Sequence, residues 1–160
     1  MSSTEAGARP TIRIQAGDFD AAVEQRALTH GRRDIGAVVA FTGLCRDEGG
    51  RLAALELEHY PGMAEEELGR VADAALARWP LTGLTIIHRF GQIAPGEQIV
   101  LVVAASSHRR AAFEAADFLM DYLKTRAPFW KKEHPLSGEA SDWVAARAED
   151  DAAAERWRTR

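Results

Sequence analysis

Apolar and polar residues change periodicity several times along this 160-residue chain, and each change predicts an element. Residues 11–15 alternate with β-branched side chains and predict a short strand. Asp18 stands where it can cap a helix that runs to about Thr29, with Gly31 after it. Residues 35–45, rich in Val, Ala and Phe, read as a buried strand, and Glu48-Gly49-Gly50 as a turn. Residues 52–60 set Leu55, Leu57 and His59 against Glu56, Glu58 and Tyr60, the alternation of a second strand.

The clearest signal comes next. Leu68, Val71, Ala72, Ala75, Leu76 and Trp79 recur at helical spacing. Glu65, Glu66 and Glu67 lie where the helix dipole favours them, and Pro80 ends the element. Two more strands are predicted over 84–90 and 98–105. Ser106 or Ser107 can cap a last long helix over about 108–126, apolar on most of its circumference and so buried on more than one side. Residues 129–133 read as extended, 134–141 as a loop, and 143–157 as polar and partly helical. Adjacent strands without a helix between them imply antiparallel pairs, so the class is α+β with a mixed, largely antiparallel sheet and packed helices. Residues 1–10 read as a disordered tail, 11–160 as one domain, with a polar C-terminal tail from about 146.

Composition narrows the function classes. The formal net charge is -4 and the sequence pI about 5.7, which argues against a general nucleic-acid or membrane-surface binder. The lone cysteine, Cys45, allows no internal disulfide and no cysteine-based zinc site, and suits a reducing, cytoplasmic setting. Residues 1–10 lack the apolar core of a signal peptide. Basic residues nevertheless gather between Ser106 and Lys132: Arg109, Arg110, Lys124, Arg126, Lys131 and Lys132 against Glu114, Asp117 and Asp121. A basic zone on an acidic chain suggests a small anionic ligand.

Ser106-Ser107-His108-Arg109-Arg110 sits where a strand feeds a helix, and free N–H groups there favour an anion. Cations are disfavoured at that end, so three in a row call for a bound anion or an acidic neighbour; a capping serine before solvated basic residues is the plainer alternative. Lys124 and Lys131 are each open to two readings. A lysine near a helix C-terminus is ordinary, whereas one held against apolar surface can act as acid, base or nucleophile. Arg46, beside a Gly-rich loop, reads equally as an anion contact or a surface arginine. Cys45 alternates in phase with Phe41 and Gly43 and reads as a core cysteine. His59 has no partner at metal-ligand spacing and reads as structural. P-loop, dinucleotide-fold, zincin and nucleophile-elbow motifs are absent.

Several runs resemble one family. Glu58-His59-Tyr60-Pro61-Gly62-Met63, Ile87-His88-Arg89, Ser107-His108-Arg109 and the stretch from Asp121 through Lys124 and Phe129-Trp130 to Lys131 are similar to molybdopterin synthase catalytic (large) subunits, the MoaE family. Phe41-Thr42-Gly43 with Arg46, and Asp142-Trp143-Val144 with Arg147, fit as well. The resemblance implies an α/β hammerhead fold and a homodimer of large subunits within a heterotetramer. The partner it implies is a small ubiquitin-like sulfur carrier ending in a Gly-Gly thiocarboxylate, and the substrate is cyclic pyranopterin monophosphate, converted to the molybdopterin dithiolene. It implies no metal and no cofactor. Lys124 and Lys131 become the catalytic candidates, Arg46, His108, Arg109 and Arg147 the substrate-binding ones, and Phe41 and Met120 the pocket lining. Because sixteen residues part His108 from Lys124, a straight helix separates them by roughly 24 Å, which predicts that His108 and Arg109 serve the partner protomer's site.

Two departures from the family stand out: the short acidic loop Asp47-Glu48-Gly49-Gly50-Arg51, and Cys45 where an apolar residue is usual. Three other functions compete: a non-catalytic module binding a ubiquitin-like protein, an enzyme carrying sulfur as a Cys45 persulfide, and a phosphate-ligand enzyme using Lys124 as a Schiff base.

Overall fold

The structure, a computed structural model, describes residues 8–125, 129–143 and 148–158. Its centre is the most apolar part of the chain. Strands β4 (Leu81–Arg89) and β6 (Gln98–Ser106) pair antiparallel, Ile86 opposite Val102 and His88 opposite Val100. β1 (Thr11–Gln15) joins β4 in parallel, and β2 (Ala37–Leu44) joins β6 antiparallel, giving the order β1-β4-β6-β2.

Alternation along β6 sends its side chains into two cores. Val100, Val102 and Ala104 meet Leu68, Val71, Ala72 and Ala75 of α2 (Met63–Arg78) and Ala115, Leu119 and Leu123 of α3 (Arg109–Thr125). Leu101 and Val103, with Ile87, meet Phe19 and Leu28 on the other face, where α1 (Ala21–Thr29) lies. α3 is thus wedged between the sheet and other helices, in line with its wide apolar circumference. A second, antiparallel sheet has the order β5 (Gly91–Ile93), β3 (Leu52–His59), β7 (Phe129–Pro135). Its core is Cys45, Leu57 and Ile93, and Ile99 packs against both this cluster and the α2–α3 core.

The polar C-terminal stretch is tied down. α4 (Ala148–Glu155) leads into a 3-10 turn that buries Trp157 edge-on against Trp79 and Phe118. The Trp157 indole N–H donates to the Asp121 carboxylate (2.6 Å), and Arg156 reaches both Asp117 and Asp121.

The α+β class with mostly antiparallel pairing holds, with the strands divided between two sheets. Two local expectations do not. Asp20, not Asp18, caps α1, accepting from the amides of Ala22 and Val23. Asp18 instead accepts from Phe19 N–H and the Gln98 side chain, which lowers its pKa. β2 is not a buried strand: it lies at the sheet edge with β6 as its neighbour, and Phe41 and Leu44 are 41% and 55% exposed. A short strand outside the predicted set, β5, stands between β4 and the turn at 94–97 that leads into β6.

Candidate active site

Register and burial divide the predicted residues between the two ends of the large sheet. At one end α3 finishes with buried Leu123 and exposed Lys124. Close by lies His88, buried near the end of β4. Its Nδ1 is 2.8 Å from the Arg89 carbonyl oxygen, so a neutral ring donates from Nδ1 and keeps the Nε2 lone pair. The pKa of His88 is pushed down to about 4. Burial is the main cause, the bond to the Arg89 carbonyl opposes it, and the charges of Lys124 and His59 add to it. The ring is therefore neutral at physiological pH.

Phe129, the first residue of β7, stacks on His88 with centroids 3.7 Å apart and planes 15° apart. In the β3–β7 ladder His59 faces Phe129 and Leu57 faces Lys131. Residues two apart on a strand share a face, so half-buried Lys131 projects to the same side as Phe129 and buried Leu57. Lys124 of α3 thus lies near His88, and Lys131 of β7 lies two residues beyond Phe129 on the same side of the strand. The outer face of β7 is different in kind: Trp130 packs against Tyr60, and the Lys132 ammonium sits 4.9 Å over the Trp143 ring.

Arg46 belongs to this same end. It follows Cys45, whose backbone bonds Glu97 and Gly96 just before β6 begins. Phe41 lies opposite Val102, on the α3 face of β2, and Met120 packs against the same core from α3. Phe113, Met120 and Lys124 line up along one side of the helix at i, i+7 and i+11.

His108 and Arg109 lie at the opposite end. α3 starts at Arg109, three residues after Ser106, which pairs with Leu81 and Ala37. Both residues are exposed. The Ser106 hydroxyl donates to the Pro80 carbonyl and the Ser107 hydroxyl to that of Asp34. Gly36 donates to the Ser106 carbonyl, and a Cβ at Gly36 would fall on the Ser107 carbonyl oxygen. The close approach that seats the start of α3 therefore requires glycine. Arg147 lies outside the described residues.

This arrangement has relatives. The family model described as MoaE protein matches residues 14–126. The chain belongs to the MoaE family. A molybdopterin synthase catalytic subunit from Mesorhizobium japonicum is 68% identical over 94% of each chain. The molybdopterin biosynthesis MoaE protein from Burkholderia ambifaria MC40-6 superposes with a TM-score of 0.80 at 49% identity, covering 93% of this chain and 98% of its own. A crystal structure of molybdopterin synthase from Staphylococcus aureus gives a TM-score of 0.73 at 30% identity, covering 82% of this chain and 95% of that one.

For a MoaE-family chain, the residues that individual sequence signals missed are His88 and Phe129. Both stand in the runs that carry the family resemblance, but neither drew attention by itself. The available signal was a histidine closing the apolar run Leu84-Thr85-Ile86-Ile87, where a polar ring has to be accommodated. Cys45 is 3% exposed, and burial first, then the charges of Glu97 and Asp47, push its thiol pKa up. That is the environment of an inert core cysteine.

Proposed function

We propose that Lys124 and Lys131 perform the chemistry of this chain, which works as the catalytic subunit of a molybdopterin synthase, a sulfurtransferase of molybdenum-cofactor biosynthesis. The small ubiquitin-like subunit brings sulfur as a thiocarboxylate on its C-terminal Gly-Gly tail, and cyclic pyranopterin monophosphate accepts it. Lys124 polarises the thiocarboxylate or moves the proton of the transfer step. Lys131 stabilises the negative charge that develops. Arg46 and Arg147 bind the substrate, with Phe41 and Met120 as its apolar walls. The observations that carry the assignment are the Lys124 charge beside the buried His88 ring and the place of Lys131 two residues beyond the stacked Phe129, on the same side of β7. A persulfide on Cys45 is disfavoured by its burial and raised pKa. The cytoplasm, with its reduced thiols, is the setting that suits a chain with this single free cysteine.

His108 and Arg109 serve a neighbouring protomer in this reading. Two rulers support it: α3 itself, and the seven residue steps of β4 from Leu81 to His88, each spanning roughly 23–24 Å. The substrate's phosphate then sits at the start of a partner's α3.

Reconstitution with a thiocarboxylated small subunit and the cyclic precursor tests the reading. Wild type yields molybdopterin, and Lys124→Ala loses turnover by about 10²-fold or more while keeping its fold, because the side chain is exposed. Near-normal turnover by Lys124→Ala would remove it from the mechanism. Co-expressing Lys124→Ala with Arg109→Ala separates one-chain from two-chain sites. A shared site restores activity, since each mixed dimer holds one intact site; no recovery above the separate variants refutes sharing.

A further inference from the structure

We propose that His88 is a positioning residue for the sulfur-transfer site: its ring is the platform that seats Phe129 and thereby sets where β7 presents Lys131 to Lys124. The inference rests on the reading of the two lysines as the reacting pair. It adds a residue that need not touch either substrate.

The platform is rigid for identifiable reasons. His88 lies in β4, which has a neighbouring strand on each side, β1 and β6. Rotation of the imidazole is limited by its Nδ1–H bond to the Arg89 carbonyl. Arg89 is itself buried, with its guanidinium bonded to the carbonyls of Ala16 and Gln98 and paired with Glu97 at 3.6 Å. The ring plane is thus referenced to β1, β4 and β6 together.

What sits on the platform is comparatively free. Among the described residues β7 is an edge strand whose ladder partner is β3. Beyond the chain connections and backbone bonds at Phe90 and Gly96-Glu97, the small sheet is located relative to α3 by side-chain contacts. The stack at 3.7 Å and 15° is the contact nearest the start of β7, with His59 flanking Phe129 at 6.0 Å. Lys131 is two residues beyond Phe129, on the same side of the strand. A shift of the stack passes to Lys131 with little attenuation, whereas Lys124 stays fixed to α3. Histidine suits the position because a neutral ring can stack on Phe129 beside the Lys124 ammonium, where a charged one would be repelled.

The test uses the full chain with a thiocarboxylated small subunit and the cyclic precursor, comparing wild type, His88→Ala, His88→Phe and Phe129→Leu. Steady-state kinetics is read alongside hydrogen exchange of the β7 amides. In His88→Ala and Phe129→Leu, kcat should fall about ten- to a hundred-fold with the precursor KM nearly unchanged. Exchange should quicken at 129–133 while the β4 and β6 amides keep their protection. His88→Phe keeps an aromatic platform and should recover most of the lost kcat. Phe129 is only partly buried, so its variant remains informative even should His88→Ala misfold. The proposal is overturned by unchanged kcat in Phe129→Leu, by kcat loss without faster exchange at β7, or by failure of His88→Phe to recover activity that His88→Ala lacks. Absence of product with wild type would instead sink the functional reading, and the exchange data would still decide whether His88 seats β7.

Discussion

Acidifying this protein from pH 7 to pH 5 should cost stability through one side chain. His88 is 8% exposed, and its pKa falls from an ordinary 6.5 to about 4 on folding. Between those values the unfolded chain binds a proton that the folded chain refuses, so stability rises with pH across the window. The contribution is complete above about pH 6.5 and is withdrawn as the pH drops towards 4. Each unit of difference corresponds to about 1.4 kcal/mol, so the loss reaches about 2 kcal/mol at pH 5 and levels off near 3 kcal/mol below pH 4. For a chain of this length, 2 kcal/mol corresponds to a melting temperature lower by about 4–8 °C. The lowered pKa values of Asp18 and Asp34 act in the same direction, but only below the ordinary carboxylate value of 3.8, outside the window. Urea unfolding at pH 7, 6 and 5, followed by circular dichroism, measures the effect. His88→Phe keeps the ring and removes the titration, so the wild-type curve should be steeper than the variant's by the amounts above. Parallel curves for the two proteins would refute the reasoning, and with it the claim that the imidazole is held neutral by burial.

Two further outcomes follow from close contacts in the fold. Gly36→Ala drives a Cβ onto the Ser107 carbonyl oxygen, so it should lower stability by about 1–3 kcal/mol and raise the precursor KM by displacing His108 and Arg109; an unchanged urea midpoint would contradict the contact. Cys45→Ser should leave the sulfur-transfer rate of the folded protein intact while costing about 1–3 kcal/mol for a buried hydroxyl, and loss of transfer in a folded variant would revive a persulfide route.

How far the sequence could be read depended on whether the deciding contacts were local. α2 was legible because its stripe of Leu68, Val71, Ala72 and Ala75 is one face of one helix, and all four are buried. Edge or centre was not legible for β2: the Val-Ala-Phe run has the same composition in either place, and the difference is that β2 has one strand neighbour, β6, among the described residues. The choice between Asp18 and Asp20 as helix cap turns on Gln98, eighty residues away, which bonds Asp18. Trp157 lies in a polar, Ala-rich stretch, and its burial depends on Trp79, Phe118 and Asp121 from other elements. The candidate site divided in the same way. Lys124 and Lys131 became candidates through the family resemblance, but the placing of Lys124 near His88, and of Lys131 just beyond the Phe129 that stacks on it, comes from the meeting of three elements.

α3 gives the clearest link between fold and chemistry. Its length is dictated by the core it fills, because the sheet behind it runs from the Leu81 end to the His88 end and the helix returns along that distance. A helix of that span cannot bring both of its termini to one small ligand. Yet both termini carry the residues suited to an anionic substrate, exposed His108 and Arg109 at the start and Lys124 at the finish. Between them lies the side of the helix bearing Phe113, 61% exposed, next to an edge strand bearing Phe41, 41% exposed. On the proposed assignment, a chain folded this way divides a site between its two ends and leaves apolar surface between the halves. A second copy is the simplest object that supplies the missing half, since it carries the same residues at the same spacing, and two-fold pairing would complete two sites at once.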